Sequence, residues 1–506
     1  MAEDYKFTTC DWLYGRRDIY TANENLTREN VLTEINYALG FHFRNVFEED
    51  YLYWYRRGFQ PVINRKKERN EFILNKVAVN IAQEICDFKD GYFLQEPCFY
   101  TSRTSGSKSK VDKLNEYLHR SGKQAADNII ANWFHMVGKA ALYVEPTDND
   151  EIPLRAYALD PRSAFVVKSF KPGNRPVYGV NVVINDKTMF IDVYTEEQIF
   201  RLKGSYLGMS TTNDDLGRPM YQTMANEVLG VEPNLLRHIP IIEYRYNSVN
   251  MGAFEGVCSV LDSINEIQSA RTDAIDQFIQ SIAVAVNCEF PDETTIADIK
   301  KAGMIALRSV GENKAEFKIL SEELNQDQTQ TLIDNLYEQA LRICAMPTAS
   351  KVGRGTYDST GQAAIFNNGW EQAAACARNT EDLFRQSNAY FDEILVDVLK
   401  RKSLLDISTL DFEINFVRTE TANTQSKAQA AQTMLGMGMH PELAFKKSGL
   451  SNDPVSDMKM SEKYLKMIWG DPDKVDEEEQ AGDGQGDANI EESDNFNGEN
   501  ETGGSV

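Results

Sequence analysis

The stretch FEGVCSVLDSINEIQSARTDAIDQFIQSI, residues 254–282, decides the fold class of this chain. Its apolar residues recur at intervals of three and four, which predicts one amphipathic helix roughly 40 Å long. A second such pattern, QDQTQTLIDNLYEQALRICA at residues 326–345, predicts a helix that returns. The residues between the two, about 283–321, contain strand-like runs. Two long helices that bracket a small α/β segment indicate a stalk with a knob at its end.

The residues before this stretch predict a mixed α/β region. Helices are expected over 27–39 (TRENVLTEINYAL), 71–89 (EFILNKVAVNIAQEICDFK) and about 111–137. Alternation of apolar and polar residues predicts a small antiparallel sheet over about 140–198, and one further strand in HIPIIEYRYN, residues 238–247. Between these strands, residues 203–235 form a looser, glycine-containing segment.

The residues after the stalk begin with a break. Pro347 ends the returning helix, and residues 347–361, PTASKVGRGTYDSTG, are rich in Gly, Ser and Thr, which predicts a flexible loop. A very long helical segment follows, with a kink expected at 367–369. One strand in LDFEINFVR, residues 410–418, and two or three shorter helices come next. The predicted fold class is therefore α+β, mainly α.

The negative charge of the chain is concentrated at its C-terminal end. The formal net charge is −24, and residues 471–506 hold 13 acids and one lysine. This acidic tail has too few apolar residues to fold, so we expect a disordered segment, with a docking segment for a scaffold or coat protein as the alternative. The seven cysteines are scattered and odd in number, which is typical of free thiols in a reducing cytosol. With no secretory signal and no apolar run of about 18 residues, we expect a soluble intracellular protein without membrane contact.

The sequence contains none of the common motifs of enzyme active sites. It has no phosphate-binding pattern with Gly-Lys-Ser/Thr, no Gly-x-Gly-x-x-Gly, no His-Glu-x-x-His, no Cys-x-x-Cys and no Gly-x-Ser-x-Gly. The five histidines lie far apart in the sequence. We therefore expect no catalytic residue, no metal and no cofactor. An enzyme or motor that acts on DNA is the alternative that these absences disfavour.

Two segments have residues that suit contact with nucleic acid. The run Tyr51–Arg69 combines aromatic and basic side chains, although a solvated connection or a subunit interface explains the same composition. The loop 347–361 carries Lys351 and Arg354, for which a plain loop without a ligand is the alternative.

Several stretches, taken in order, resemble one protein family. They are YWYRRGFQPVINR followed by NEFILNKVAVNIAQEICDFKDGYFLQEP, then ALYVEP and LRAYALDPRSAFVV, then HIPIIEYRYN with VCSVLDSINEIQSARTDAIDQF, and finally MPTASKVGRGTYDSTGQAAIF. Over about residues 45–470 the chain resembles the portal proteins of long-tailed phages of Gram-positive-type hosts and their relatives. The order of the stretches carries the resemblance, because none of them is diagnostic alone.

The resemblance implies a portal fold with wing, stem, clip and crown regions, in which two long stem helices bracket a small α/β clip. The implied regions are the wing (1–252), stem helix 1 (253–282), the clip (283–322), stem helix 2 (323–346), the tunnel loop (347–361), a long wing helix and strand (362–418), the crown helices (419–470) and the disordered acidic tail (471–506).

The resemblance also implies a function and partners. Members of this family form a dodecameric ring at one capsid vertex, nucleate procapsid assembly, and pass double-stranded DNA during terminase-driven packaging and ejection. The implied partners are further copies of the chain, double-stranded DNA, the large terminase, the major capsid and scaffolding proteins, and a head-completion or adaptor protein. The implied location is the portal vertex of the virion, and the host cytoplasm during assembly. Another ring-forming virion protein is the structural alternative.

Two groups of candidate residues follow from this expectation. Acidic side chains of the stem helices would line the channel and repel DNA weakly, over about 8 Å at physiological salt. These candidates are Asp262, Glu266, Asp273, Asp276 and Asp334. In the tunnel loop, Lys351 and Arg354 would touch the phosphates of the passing duplex transiently.

Overall fold

The computed structural model describes most of the chain, in two compact units that span Met1–Ala422 and Asn423–Val506. The described residues are 13, 15–67, 73–103, 106–213, 219–279, 283–286, 288–289, 308–309, 316–319, 326–348, 369–416, 424–449, 461, 464 and 467.

Helices make up much of both units. Those of the first unit are α1 (Val31–Arg56), α2 (Ile81–Phe93), α3 (Lys108–Arg120), α4 (Lys123–Val137), α5 (Cys258–Ile279), α6 (Gln326–Ile343) and α7 (Trp370–Arg401), with short 3-10 turns at Pro61–Asn64 and Glu255–Val257. Those of the second unit are α8 (Thr424–Gly436) and α9 (Pro441–Ser448).

The strands of the first unit form two larger sheets and three strand pairs. The six-stranded sheet contains, in spatial order, β1 (Ile19–Thr21), β5 (Ala164–Ser169), β6 (Pro176–Asn185), β7 (Thr188–Tyr194), β8 (Gln198–Asn213) and β9 (Pro219–Pro233). The three-stranded sheet contains β10 (Ile241–Arg245), β3 (Lys139–Pro146) and β4 (Leu154–Leu159). The pairs are β2 (Phe99–Ser102) with β15 (Phe412–Asn415), β11 (Ala283–Val286) with β14 (Glu316–Ile319), and β12 (Cys288–Glu289) with β13 (Arg308–Ser309). Within these sheets and pairs, only β1 and β5 run parallel.

The first unit buries its apolar side chains in separate clusters. Helix α1 covers one face of the six-stranded sheet, where residues such as Ile35 and Ile191 are completely buried. Helices α4 and α7 cover the three-stranded sheet, with Phe384 at the centre of that cluster. Helices α2, α5 and α6 share a third cluster that includes Leu261. The α+β, mainly α fold class predicted from the sequence is confirmed.

The two long helices predicted on either side of a strand-containing segment are present. Helix α5 has 22 residues and α6 has 18, and the pairs β11–β14 and β12–β13 lie between them in the sequence. Helix α7 begins at Trp370, directly after Gly369, whose φ of 80° lies in the left-handed region. Of the expected kink at 367–369, only Gly369 lies within the described residues, and residues 349–368 lie outside them.

Three expectations about the first 250 residues were wrong. The helix expected over 71–89 begins only at Ile81, because the preceding residues run extended along α5. The helix expected over 111–137 is two helices, because Gly122 takes a left-handed φ of 77° between α3 and α4. The segment 203–235 is not loose, because β8 and β9 form a long antiparallel hairpin there. Gly204 lies so close to the opposite strand that a Cβ would stand 2.3 Å from the Met224 carbonyl oxygen.

Candidate functional site

The extended segment 73–80 forms a regular set of hydrogen bonds with α5, which we call the polar ladder. The backbone N–H groups of Asn75, Val77 and Val79 donate to side chains of α5. The acceptors are, in the same order, Asp273 Oδ1 (2.7 Å), Ser269 Oγ (2.9 Å) and Asn265 Oδ1 (2.8 Å). Two extended residues advance about 6.6 Å and four helical residues about 6 Å. The backbone of the segment therefore meets α5 once per helical turn, with the two chains antiparallel.

The acceptors of the polar ladder are buried polar side chains. Asn265 and Ser269 are completely buried, and Asp273 is 3% exposed. Buried polar groups are costly unless they are hydrogen-bonded, so these three positions need the backbone of segment 73–80 as their partner. The ladder thus explains why α5 carries polar residues at 265, 269 and 273 on a face that is not open to water.

Basic residues from the run Tyr51–Arg69 reinforce one end of the ladder. Arg65 donates from Nε to Glu266 (2.7 Å) and from Nη1 to Asp273 (2.6 Å). Lys67 Nζ lies 3.3 Å from the same Asp273 carboxylate. The side-chain amide of Asn75 donates to Asp276 Oδ2 (2.7 Å). These contacts hold the chain on either side of residues 68–72 against one helix.

The ionised form of Asp273 is stabilised by this arrangement. Burial alone would raise the pKa of the carboxyl, but the hydrogen bonds from the Asn75 backbone, Arg65, the Asn75 amide and Lys67 outweigh it and lower the pKa below its usual value. The ionised Asp273 therefore stabilises the folded protein at pH values above the pKa of an aspartate in the unfolded chain. This stabilisation is lost as the pH falls and the carboxylate becomes protonated, so the polar ladder weakens in acid.

The five acids predicted for the channel lie in different environments. Asp262 accepts a hydrogen bond from the hydroxyl of Tyr55 (2.8 Å), and Asp334 of α6 accepts one from Gln330 (2.7 Å). The side chain of Glu266 is 57% exposed, whereas that of Asp273 is 4% exposed. The structure thus groups Asp262, Glu266, Asp273 and Asp276 on α5 beside residues 55–75. Asp334 lies on α6, where its partner Gln330 also accepts a hydrogen bond from Arg271 of α5 (2.6 Å).

The aromatic and basic side chains of Tyr51–Arg57 are largely used inside the fold. Tyr51 and Tyr55 are completely buried. The ring of Tyr53 stacks on Trp133 at 5.8 Å, and the guanidinium carbons of Arg57 and Arg162 each lie 4.1 Å from its centre. A ring that already has cations on it and an aromatic neighbour is not a free platform for a base. This part of the run is structural.

The loop cations Lys351 and Arg354 lie outside the described residues. The two described positions that flank their segment are close together, because a Cβ on Gly369 would be 3.5 Å from the Met346 carbonyl oxygen and 3.6 Å from Pro347 Cα. Their contact with DNA stays a prediction.

A second group of buried charges lies between α1 and the start of α5. Arg16 is completely enclosed, with Nη2 at 2.5 Å from Glu255 and Nε at 3.2 Å from Glu48. Glu49 is also buried, and its Oε2 has no hydrogen-bond partner among the described residues. Burial raises the pKa of Glu49 to about 8, although the nearby Arg16 lowers it. Two carboxylates thus share one buried guanidinium, while a third carboxyl group remains protonated at neutral pH.

Glu49→Gln is expected to remove a pH dependence of stability. Burial raises the pKa of Glu49 in the folded protein above that of an unfolded chain. The contribution of its protonated carboxyl to the free energy of unfolding is therefore complete below the unfolded-state pKa and is lost as the pH rises towards 8. At about 1.4 kcal/mol per pH unit, the parent protein should lose about 2 kcal/mol relative to the variant between about pH 5 and 6.5. Urea unfolding of both proteins across this range measures the difference. An unchanging difference would contradict the prediction.

The described residues contain neither a metal centre nor a membrane span of the helical kind. No group of three or more His, Cys, Asp or Glu side chains among them is arranged to hold a metal ion. None of the helices within the described ranges combines the length and the apolar character needed to cross a bilayer.

Comparison with protein families decides the class of this chain. The family described as "Phage portal protein, SPP1 Gp6-like" matches residues 41–468. The chain belongs to this portal family. The resemblance drawn from the sequence is confirmed, and the matched region contains segment 73–80, both long helices and the strand pairs between them. Portal proteins are structural proteins of the phage particle, so this portal-family chain is a virion component of the head-to-tail connection.

Other comparisons add little to this assignment. Among solved structures, one titled "Neck of empty GTA particle computed with C6 symmetry" is 9% identical to this portal-family chain. The match covers 74% of this chain and 91% of that chain, with a TM-score of 0.40. A search of curated proteins found no match.

Proposed function

We propose that this portal-family chain assembles into a ring of identical subunits, twelve by the resemblance, around the DNA channel at one capsid vertex. The observation that carries the proposal is the pair α5 and α6, which brackets two strand pairs within the family-matched region. Helices with apolar side chains exposed on a lone chain need a neighbour, and Ile275 (41% exposed) and Leu332 (49% exposed) are such side chains.

The regions would take the following places in the ring. Helices α5 and α6 are the stem, the strands between them belong to the clip, and α8 and α9 belong to the crown. The wing comprises the two larger sheets with α1 to α4, together with α7. The clip would face the large terminase during packaging and the head-completion protein afterwards, while the wing and crown would contact the major capsid and scaffolding proteins.

The ring would act as a conduit and not as an enzyme. The sequence lacks a nucleotide-binding motif, so the free energy for moving DNA would come from a partner ATPase such as the terminase. The chain would nucleate procapsid assembly in the host cytoplasm, pass double-stranded DNA inward, and release it on ejection.

Electron microscopy of the purified full chain tests the proposal. A ring of about twelve subunits with an axial hole is the expected projection. Compact particles without a hole, at concentrations where the protein is fully assembled, would refute it. Assays for ATPase and nuclease activity on the same sample should give no activity above background.

The acidic side chains of the stem helices would repel DNA weakly, and they would contribute unequally to this repulsion. Since Arg65 and Lys67 compensate the buried Asp273, its charge would contribute little to a lumen. Asp262, Glu266, Asp276 and Asp334 are the better placed candidates, because all four are at least partly exposed. The repulsion would extend only about 8 Å at physiological salt, which prevents DNA from sticking without blocking its passage.

Replacing Lys351 and Arg354 together with alanine is expected to leave ring assembly intact and to shorten or destabilise the packaged DNA. The physical reason is the loss of two cations that would contact phosphates at the narrowest point. Packaged length on pulsed-field gels and retention after heating measure the effect. The matched control replaces the exposed Lys446 and Lys447 of α9 with alanine. Equal packaging by both double variants would contradict the assignment of the loop.

A further inference from the structure

The side of segment 73–80 that faces away from α5 has unpaired backbone groups. The segment spans four residues between Asn75 and Val79 while α5 spans eight, about 12 Å, so each residue of the segment advances about 3 Å, as in a strand. Because the N–H groups of 75, 77 and 79 all point at α5, those of Leu74, Lys76 and Ala78 point away from it.

These outward groups make no hydrogen bond to any part of the chain that the structure describes. The N–H and C=O groups of Leu74, Lys76 and Ala78 have no partner there, and the three residues are half-exposed or exposed. Three inward carbonyls are occupied: Arg65 donates to Asn75 O (3.2 Å), Lys67 to Ile73 O (3.3 Å) and the Ile81 N–H to Val79 O (2.8 Å). A row of unpaired backbone groups on an ordered extended segment is the template to which another strand can add.

Two lysines determine which kind of strand can pair with this edge. Lys76 belongs to the segment, and Lys66 follows Arg65, whose guanidinium contacts the Asn75 carbonyl (3.2 Å). Both lysines are exposed, and neither forms an ion pair within the described residues. Lysines on an exposed edge disfavour pairing of the edge with a second copy of itself, because like charges would be brought together. The same lysines attract a strand that carries carboxylates.

We propose that the outer edge of residues 74–78 is a docking site for an extended acidic segment of a partner protein, which adds as a β-strand. The backbone groups of Leu74, Lys76 and Ala78 would hold the strand. Lys66 and Lys76 would select its negative charge. The polar ladder would keep the edge in its extended form before the partner arrives, so that little ordering entropy is lost on binding.

Binding of a defined probe tests the affinity and charge selectivity. The probe is a fluorescein-labelled ten-residue peptide of alternating glutamate and threonine, and its counterpart alternates lysine and threonine. With the purified full chain in low salt, fluorescence anisotropy should show binding of the acidic peptide only. The double variant Lys66→Glu/Lys76→Glu should bind it at least tenfold more weakly, while Lys446→Glu/Lys447→Glu should bind it as the parent does. Equal binding of both peptides, no binding of the acidic peptide, or unchanged binding by the first variant would overturn the proposal.

Hydrogen exchange tests the role of the backbone. The acidic peptide should slow exchange at Leu74, Lys76 and Ala78, whereas the amides of Asn75, Val77 and Val79 should be slow with and without it. Ala78→Pro removes one outward donor and should weaken binding several-fold, about the effect of one hydrogen bond. Protection confined to another part of the chain would overturn the proposal. So would outward amides that are already slow without peptide and become fast on dilution, because a second copy would then occupy the edge.

Discussion

Replacing Arg16 with methionine is expected to lower the free energy of unfolding by about 3–5 kcal/mol, the usual cost of removing one partner from a buried ion pair. The side chains of Arg16, Glu48 and Glu255 are all completely buried. Methionine fills much of the volume of the guanidinium side chain, so the loss comes mainly from carboxylates that are left in the interior without their cation. Urea unfolding at neutral pH measures the change.

The matched control for Arg16 is its neighbour Arg17. Arg17 also contacts Glu48, at 3.2 Å, but its side chain is 33% exposed. Arg17→Met should therefore cost only about 0–1 kcal/mol, as is typical of ion pairs open to solvent. Similar losses for the two variants would show that burial of the Arg16 cluster does not control its contribution.

Asp273→Ala is expected to lower the free energy of unfolding by about 3 kcal/mol. The substitution leaves the half-buried Asn75 N–H without an acceptor and removes charge-assisted hydrogen bonds from Arg65 and Lys67. Hydrogen exchange should become faster at the amides of Asn75 and Val77, because this end of segment 73–80 loses its attachment. Urea unfolding and residue-resolved exchange measure the two effects.

Asp276→Ala is the matched control on the same helix. Asp276 accepts one hydrogen bond, from the side chain of Asn75, and lies one turn beyond Asp273. Its loss should cost about 1 kcal/mol or less and leave the exchange rate of Val77 unchanged. If the two variants were equally destabilised, the polar ladder would not be organised around Asp273.

The sequence predicts those helices and strands in which the spacing of apolar residues fits only one type of secondary structure. Apolar residues recur at three- and four-residue intervals along α5 and from Leu332 onward in α6, so the existence of both helices and their order around a strand-containing segment could be predicted. In residues 73–80, before α2, the spacing of apolar residues fits both a helix and a strand. Ile73, Val77, Ile81 and Ile85 suit a helix, whereas Val77, Val79 and Ile81 alternate as in a strand. The β-branched side chains favour the second interpretation, which the structure confirms for 73–80.

The polar ladder could not be predicted from α5 alone. Polar residues at 265, 269 and 273 on an amphipathic helix normally indicate the side that faces water, in agreement with the expectation from the resemblance that Asp273 lines a channel. Their true partner is a backbone nearly 200 residues earlier in the chain. A sequence pattern records side-chain types and spacings, but it contains no information on which distant backbone donors are brought to a helix.

The polar ladder also depends on a match between two repeat lengths, that of two residues in the extended segment and that of four residues in α5. Four residues of the segment cover the same distance of about 12 Å as eight residues of α5, so the three hydrogen bonds keep nearly one length, 2.7–2.9 Å. A third step towards the start of α5 would bring residue 81 to Leu261, which has no acceptor in its side chain, and at Ile81 the chain turns into α2 instead. The run of acceptor side chains at every fourth position of α5 thus sets where the extended chain stops accompanying the helix.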